Sequence, residues 1–149
     1  MSTPEPAEPP APEHPARPNI VLVVEDEILI RLALADHLRD AGLTVYEAAN
    51  GAEAVDLMTH HGNDIDAIFS DIMMPGGVDG LALLAWAAQH HPNVPVILTS
   101  GTPGQSQTIS ALSNAGLFFL KPYDMDRVAA LLAAKAKARA EARDGTATA

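Results

Sequence analysis

Four short apolar runs, each closing on polar residues, constrain this chain more than any other feature. Residues 21–24 close in Glu25-Asp26-Glu27, and residues 65–69 close in Ser70-Asp71. Residues 96–98 run into Thr99-Ser100-Gly101, and residues 117–120 into Lys121-Pro122. Runs this short and predominantly apolar are what strands covered on both faces require. A fifth, more polar run over 43–48 reads as a strand nearer the sheet edge. Segments with helical apolar spacing follow each run, so strand and helix alternate five times. Short crossovers between parallel strands are right-handed, which makes this an α/β domain: a parallel sheet with helices on both faces. The polar ends then meet at one carboxyl edge, where open sheets of this kind place their chemistry. That edge gathers three or four carboxylates, a hydroxyl and an ammonium, a set suited to a divalent cation and a phosphoryl group.

The helices have legible signals. Ile30, Leu34, Leu38 and Ala41 fall at helical spacing, and Gly42 stands where a left-handed residue ends a helix. Asn50 followed by Glu53 forms a capping-box pattern, opening a helix with Ala54, Leu57 and Met58 inward. Pro75, Gly76 and Gly77 stop the third strand, and Asp79 caps a helix whose expected inward face is Leu81, Leu84, Ala85 and Ala88. Trp86 falls off that stripe and is expected to be partly exposed. Residues 101–116 give the weakest helix, with Ile109, Leu112 and Ala115 in period but many Ser, Thr and Asn residues between them. Low local stability is expected there. Asp124 caps the last helix, with Met125, Val128 and Leu132 inward. Its acids Asp124 and Asp126 come early and Lys135, Lys137, Arg139 and Arg143 late, as the helix dipole favours. Its late portion has little to bury and is expected to fray.

The Pro/Ala/Glu-rich residues 1–18 cannot build a core, so a disordered, solubilising leader with polyproline-II character is expected there. The folded domain is placed at 19–143 and a flexible C-terminus at 144–149. The chain has 149 residues, 48% of them hydrophobic, enough for one domain with a sizeable core. It has no cysteine, which removes disulfide and thiol chemistry. No signal peptide and no membrane-length apolar segment are apparent, so a cytoplasmic setting without membrane association is the expectation. A formal charge of -10 argues against a nucleic-acid partner. Glu25-Asp26-Glu27 would repel a pyrophosphate, and no glycine-rich loop follows the first strand, which removes a dinucleotide-binding domain.

Taken in order, Glu25-Asp26, Asp71, Thr99-Ser100-Gly101 and Phe118-Phe119-Leu120-Lys121-Pro122 resemble a bacterial two-component response-regulator receiver domain over residues 19 to about 138. The resemblance is to the stand-alone type exemplified by the chemotaxis response regulator. It implies a doubly wound, flavodoxin-like three-layer fold: five parallel strands in the order 2-1-3-4-5 with five helices. It implies that Asp71 accepts a phosphoryl group from the phosphohistidine of a histidine kinase or histidine phosphotransfer protein. Glu25, Asp26, Asp71 and the Met73 carbonyl would hold Mg2+, and Lys121 would hold a phosphoryl oxygen. Ser100 and Phe118 take the switch positions, which act on a face made by the fourth helix, fifth strand and fifth helix toward an output protein. Such a domain is not a turnover enzyme; it catalyses its own aspartyl phosphorylation and slow dephosphorylation, as a monomer or weak homodimer. With the chain ending shortly after the fifth helix, binding or onward transfer is the expected output. Three departures stand out: the 75–80 loop is one residue longer than the commonest form, Leu117 replaces a usual small residue, and the fourth helix is unusually polar, so that part of the activation surface is expected to be disordered before phosphorylation. The alternative is a pseudo-receiver adaptor acting by protein–protein interaction without phosphorylation; a magnesium-dependent phosphate-ester hydrolase lacks a separate base or substrate pocket.

Overall fold

The apolar runs form strands and the periodic segments form helices. The computed structural model describes residues 19–102 and 106–145; the leader at 1–18, residues 103–105 and residues 146–149 lie outside the described residues. In chain order the elements are β1 (Ile20–Val24), α1 (Ile28–Asp40), β2 (Thr44–Ala48), α2 (Gly51–His61), β3 (Ala67–Asp71), α3 (Gly80–His90), β4 (Val96–Ser100), α4 (Gln107–Asn114), β5 (Phe118–Leu120) and α5 (Met125–Gly145). The sheet order is β2-β1-β3-β4-β5, and every neighbouring pair is parallel. This is the doubly wound, flavodoxin-like arrangement that the family resemblance implies.

The period of two along each strand divides the core into two layers. Val21, Val23, Phe69 and Ile97 pack with Leu34, Leu38, Val128 and Leu132 of α1 and α5. Leu22, Val24, Ile68 and Leu98 pack with Ala54, Met58, Leu83 and Ala87 of α2 and α3. β3 and β4 are buried throughout, whereas in the edge strand β2 only Val45 and Ala48 are buried. Gly42 takes a φ of +94° just past α1, where only glycine is unstrained. At α2 the Asn50 side chain accepts the Glu53 N–H at 2.8 Å, while the Glu53 carboxylate reaches back to the Ala49 N–H at 2.7 Å, one residue earlier than in a reciprocal capping box.

Two expectations are corrected. The inward row of α3 is Gly80, Leu83 and Ala87; Leu81 and Leu84 are half-buried, and Ala85 and Ala88 are exposed. The reason is Gly80: a Cβ there would collide with the Asp71 carbonyl and the Ile72 backbone, so the helix seats its bare backbone on the end of β3. That contact sets its rotation, and an apolar-residue search does not see a glycine. The late part of α5 is not idle either. Ala136 and Ala140 are buried, their small side chains letting the helix lie close, and Arg143 donates to the Asn63 carbonyl at 2.9 Å. Its NH1 also stands 3.0 Å from Oδ1 of the wholly buried Asp66, an ion pair rather than a well-aimed hydrogen bond. The segment read as the weakest helix forms α4, capped by Ser106 accepting the Ile109 N–H at 3.1 Å. None of its side chains is fully buried. Trp86 is half-buried and stacks on His90, 4.7 Å between ring centres.

Candidate functional site

β3 delivers Asp71 to the carboxyl edge with little freedom. The Ile72 N–H extends the ladder by donating to the Thr99 carbonyl at 2.9 Å, the Ser70 hydroxyl donates to the Asp71 carbonyl at 2.9 Å, and Gly80 closes from behind. The residue as a whole is 5% exposed. Its Oδ1 accepts the Met73 N–H at 3.2 Å, which fixes the turn after the strand. Its Oδ2 accepts Lys121 Nζ at 2.7 Å.

The turn after β1 supplies the other carboxylates. The Glu25 N–H donates to the Ala48 carbonyl, and its Oε1 accepts the Glu27 N–H at 3.1 Å, curling the side chain back over the turn. Its Oε2 accepts the same Lys121 Nζ at 3.1 Å. Asp26 is exposed, and carboxylate oxygens of Glu25, Asp26 and Asp71 lie within 4.8 Å of one another. Lys121 is held in place by its own N–H, which donates to the Ser100 carbonyl at 2.8 Å, and it is followed by a cis peptide to Pro122.

The electrostatics follow from burial and this one ammonium. Burial raises the Glu25 pKa above the glutamate range, aided by the Asp71 charge; the Glu27 N–H and Lys121 oppose it without cancelling it. Burial works against the charge on Lys121, but hydrogen bonds to Asp71 and Glu25 outweigh it and lift that pKa above the ordinary lysine value. Three carboxylates around one ammonium leave a surplus of negative charge and hard oxygen donors, which fits a small divalent cation.

The structure thus brings Glu25, Asp26, Asp71 and Lys121 together, with the Met73 backbone beside them. Ser100 ends β4 nearly buried, its hydroxyl 3.4 Å from Thr102 Oγ1 and accepting the Thr102 N–H at 3.3 Å, not directed to Asp71 or Lys121. Phe118 is half-buried and packs against the α2–α3 layer of the core, as Ile109 and Leu112 of α4 also do. Two contributors escape sequence reasoning. Arg31 donates to the Glu25 carbonyl at 2.9 Å and pairs with Glu47 at 3.4 Å, tying the acidic turn to β2. Tyr123 sets its ring edge-on to Phe69 at 5.5 Å beneath the site, and burial, then the Glu25 and Asp71 charges, push its phenol up to about 12 while Lys121 opposes. The only signal for Tyr123 is its place two residues after Lys121, on the same side of the chain. Arg31 has none, because its contact depends on how α1 tilts over the turn.

Fold and site define a class: a doubly wound α/β domain with a cation-ready acidic pocket and a lysine at the carboxyl edge. The response regulator receiver domain profile matches residues 21–133, and the chain belongs to that family. It is 40% identical over 114 residues to the DNA-binding transcriptional regulator NtrC of Escherichia coli (strain K12), covering 76% of this chain and 24% of that protein. It is 36% identical over 110 residues to the sensor kinase CckA of Brucella abortus (strain 2308), covering 73% of this chain and 12% of that one. The chain therefore spans a quarter or less of the curated relatives it matches. Among solved structures, a CheX-CheY-BeF3-Mg+2 complex from Borrelia burgdorferi superposes with a TM-score of 0.65 at 29% identity, covering 73% of this chain and 82% of that one. No helix among the described residues is long and apolar enough to cross a membrane.

Proposed function

We propose that this receiver domain works in a phosphorelay, with Asp71 as the phosphoryl acceptor and the phosphohistidine of a histidine kinase or histidine phosphotransfer protein as donor. The observation that carries this reading is the Lys121 ammonium bridging Asp71 at 2.7 Å and Glu25 at 3.1 Å inside a carboxylate trio. In the transfer an Asp71 oxygen forms the new O–P bond while the N–P bond of the donor breaks, the imidazole nitrogen keeping the electron pair. Asp71 is pre-aimed, since Met73 and Lys121 each hold one of its oxygens. Once the acyl phosphate forms, Lys121 keeps a phosphoryl oxygen in place of the carboxylate, as a compact point charge can. Held by Glu25, Asp26, Asp71 and the Met73 carbonyl, Mg2+ would neutralise charge on the phosphoryl oxygens.

The output reading rests on Ser100 and Phe118. Ser100 now holds Thr102, ahead of α4, and Phe118 packs against the same core layer as Ile109 and Leu112 of α4. Turning the Ser100 hydroxyl toward a phosphoryl group releases Thr102 and lets Phe118 move inward, which re-forms the face of α4, β5 and α5 for an output protein. The absence of cysteine suits a cytoplasmic setting. Phosphotransfer profiling tests the relay: the chain is mixed with each phosphorylated histidine kinase and phosphotransfer protein of its source organism. Label should pass rapidly to this chain from one or a few donors, and no transfer from any donor would contradict the relay.

A further inference from the structure

At the amino edge of the sheet, opposite the acidic site, a cavity of about 650 Å3 opens between the connection leading into β4 and the late part of α5. Asn93 and Pro95 form one wall; Lys135, Arg139 and Arg143 form the other, each four residues from the next and so in one row along the helix. Arg143 is fixed by Asp66 and the Asn63 carbonyl. Lys135 and Arg139 have no ion-pair partner among the described residues, and Arg139 Nε is buried without a hydrogen-bond acceptor. Buried guanidinium donors are normally satisfied, and this one has no acceptor among the described residues. The positive field reaches the neighbouring connection, where burial, then His90 and Arg139, hold the His91 imidazole below its ordinary value. A chain of charge -10 does not gather anions by its overall field, so this basic row is a local exception.

We propose that this cavity binds a small polyphosphate-bearing anion, with Arg139 and Lys135 as its charged ligands and the Asn93 amide as a neutral one. The cavity is of the size that small-molecule sites have, well beyond one orthophosphate. A guanidinium fork suits phosphate oxygens in pairs, and a row of cations one helical turn apart suits linked phosphates better than a single carboxylate. The site is independent of Asp71 and needs no magnesium.

The test is a two-dimensional amide NMR titration of the full chain with inorganic pyrophosphate and, separately, orthophosphate, without magnesium and at matched ionic strength. Pyrophosphate should give saturable shifts at Asn93 and along 135–143, at least tenfold tighter than orthophosphate. Arg139→Gln should weaken binding at least tenfold with an unchanged melting curve, and Arg139→Lys should fall between. Lys137, whose side chain pairs with Glu141 at 3.9 Å away from the cavity, supplies the control, and Lys137→Gln should bind as the parent does. Shifts that never saturate, that survive Arg139→Gln, or that weaken equally in Lys137→Gln would show diffuse charge attraction and overturn the proposal.

Discussion

Glu25 and Lys121 respond to burial with opposite results, and the difference can be measured. Glu25 has a raised pKa, so the native state holds a proton there more readily than the unfolded chain does. Its contribution to stability is therefore fullest in acid and falls as pH rises through the range just above 4.5. Lys121 is also raised, but as a base: its contribution is complete at neutral pH and fades only above the ordinary lysine value of 10.5. Glu25→Gln removes a charge that the site disfavours while keeping the side chain's shape. In metal-free urea melts it should be more stable than the parent at about pH 7, with the advantage shrinking toward about pH 5. Magnesium should stabilise the variant less than the parent. A variant less stable at neutral pH than the parent would mean that the Lys121–Glu25 bond outweighs desolvation. The main charges of this site were legible because strand ends in a parallel sheet converge, so Glu25, Asp26, Asp71 and Lys121 announce themselves by position. Arg31 and Tyr123 were not, because they act through contacts that no sequence period encodes.

At the scale of elements, apolar periodicity located every helix but misjudged faces where small residues do the packing. The leucines of α3 point to one face, yet Gly80 sets its rotation by lying against the Asp71 carbonyl. The last turns of α5 looked bare because alanine carries little apolar weight, although Ala136 and Ala140 are buried there. α4 shows the converse: its poor helix formers were legible, but not that Ser106 caps a formed helix. Gly80 couples an element to the site, which gives a sharp test. Gly80→Ala must push α3 away from the end of β3, at a cost of about 2 kcal/mol by the usual scale of overpacking. It should also slow phosphorylation of Asp71 several-fold by displacing the carboxylate. Unfolding by urea and labelling with a small phosphodonor read the two effects. Full stability and full labelling would show that the close approach is slack.

The whole molecule is a sheet with two unlike edges. The carboxyl edge concentrates carboxylates around one lysine, and the amino edge carries a basic row on α5. Both follow from one topology: parallel strands place all their polar endings together, and the returning helix brings its late cations to the other side. The strand order came from resemblance, since alternation alone fixes parallel strands and right-handed crossovers but not which strand neighbours which. The central claim is that this architecture exists to phosphorylate one carboxylate. Intact-mass analysis after incubation with a small phosphodonor and magnesium tests it most directly, on the parent chain and on Asp71→Asn. One phosphoryl group should add to the parent and none to the variant; an unlabelled parent, or a variant labelled as fully as the parent, would contradict the account.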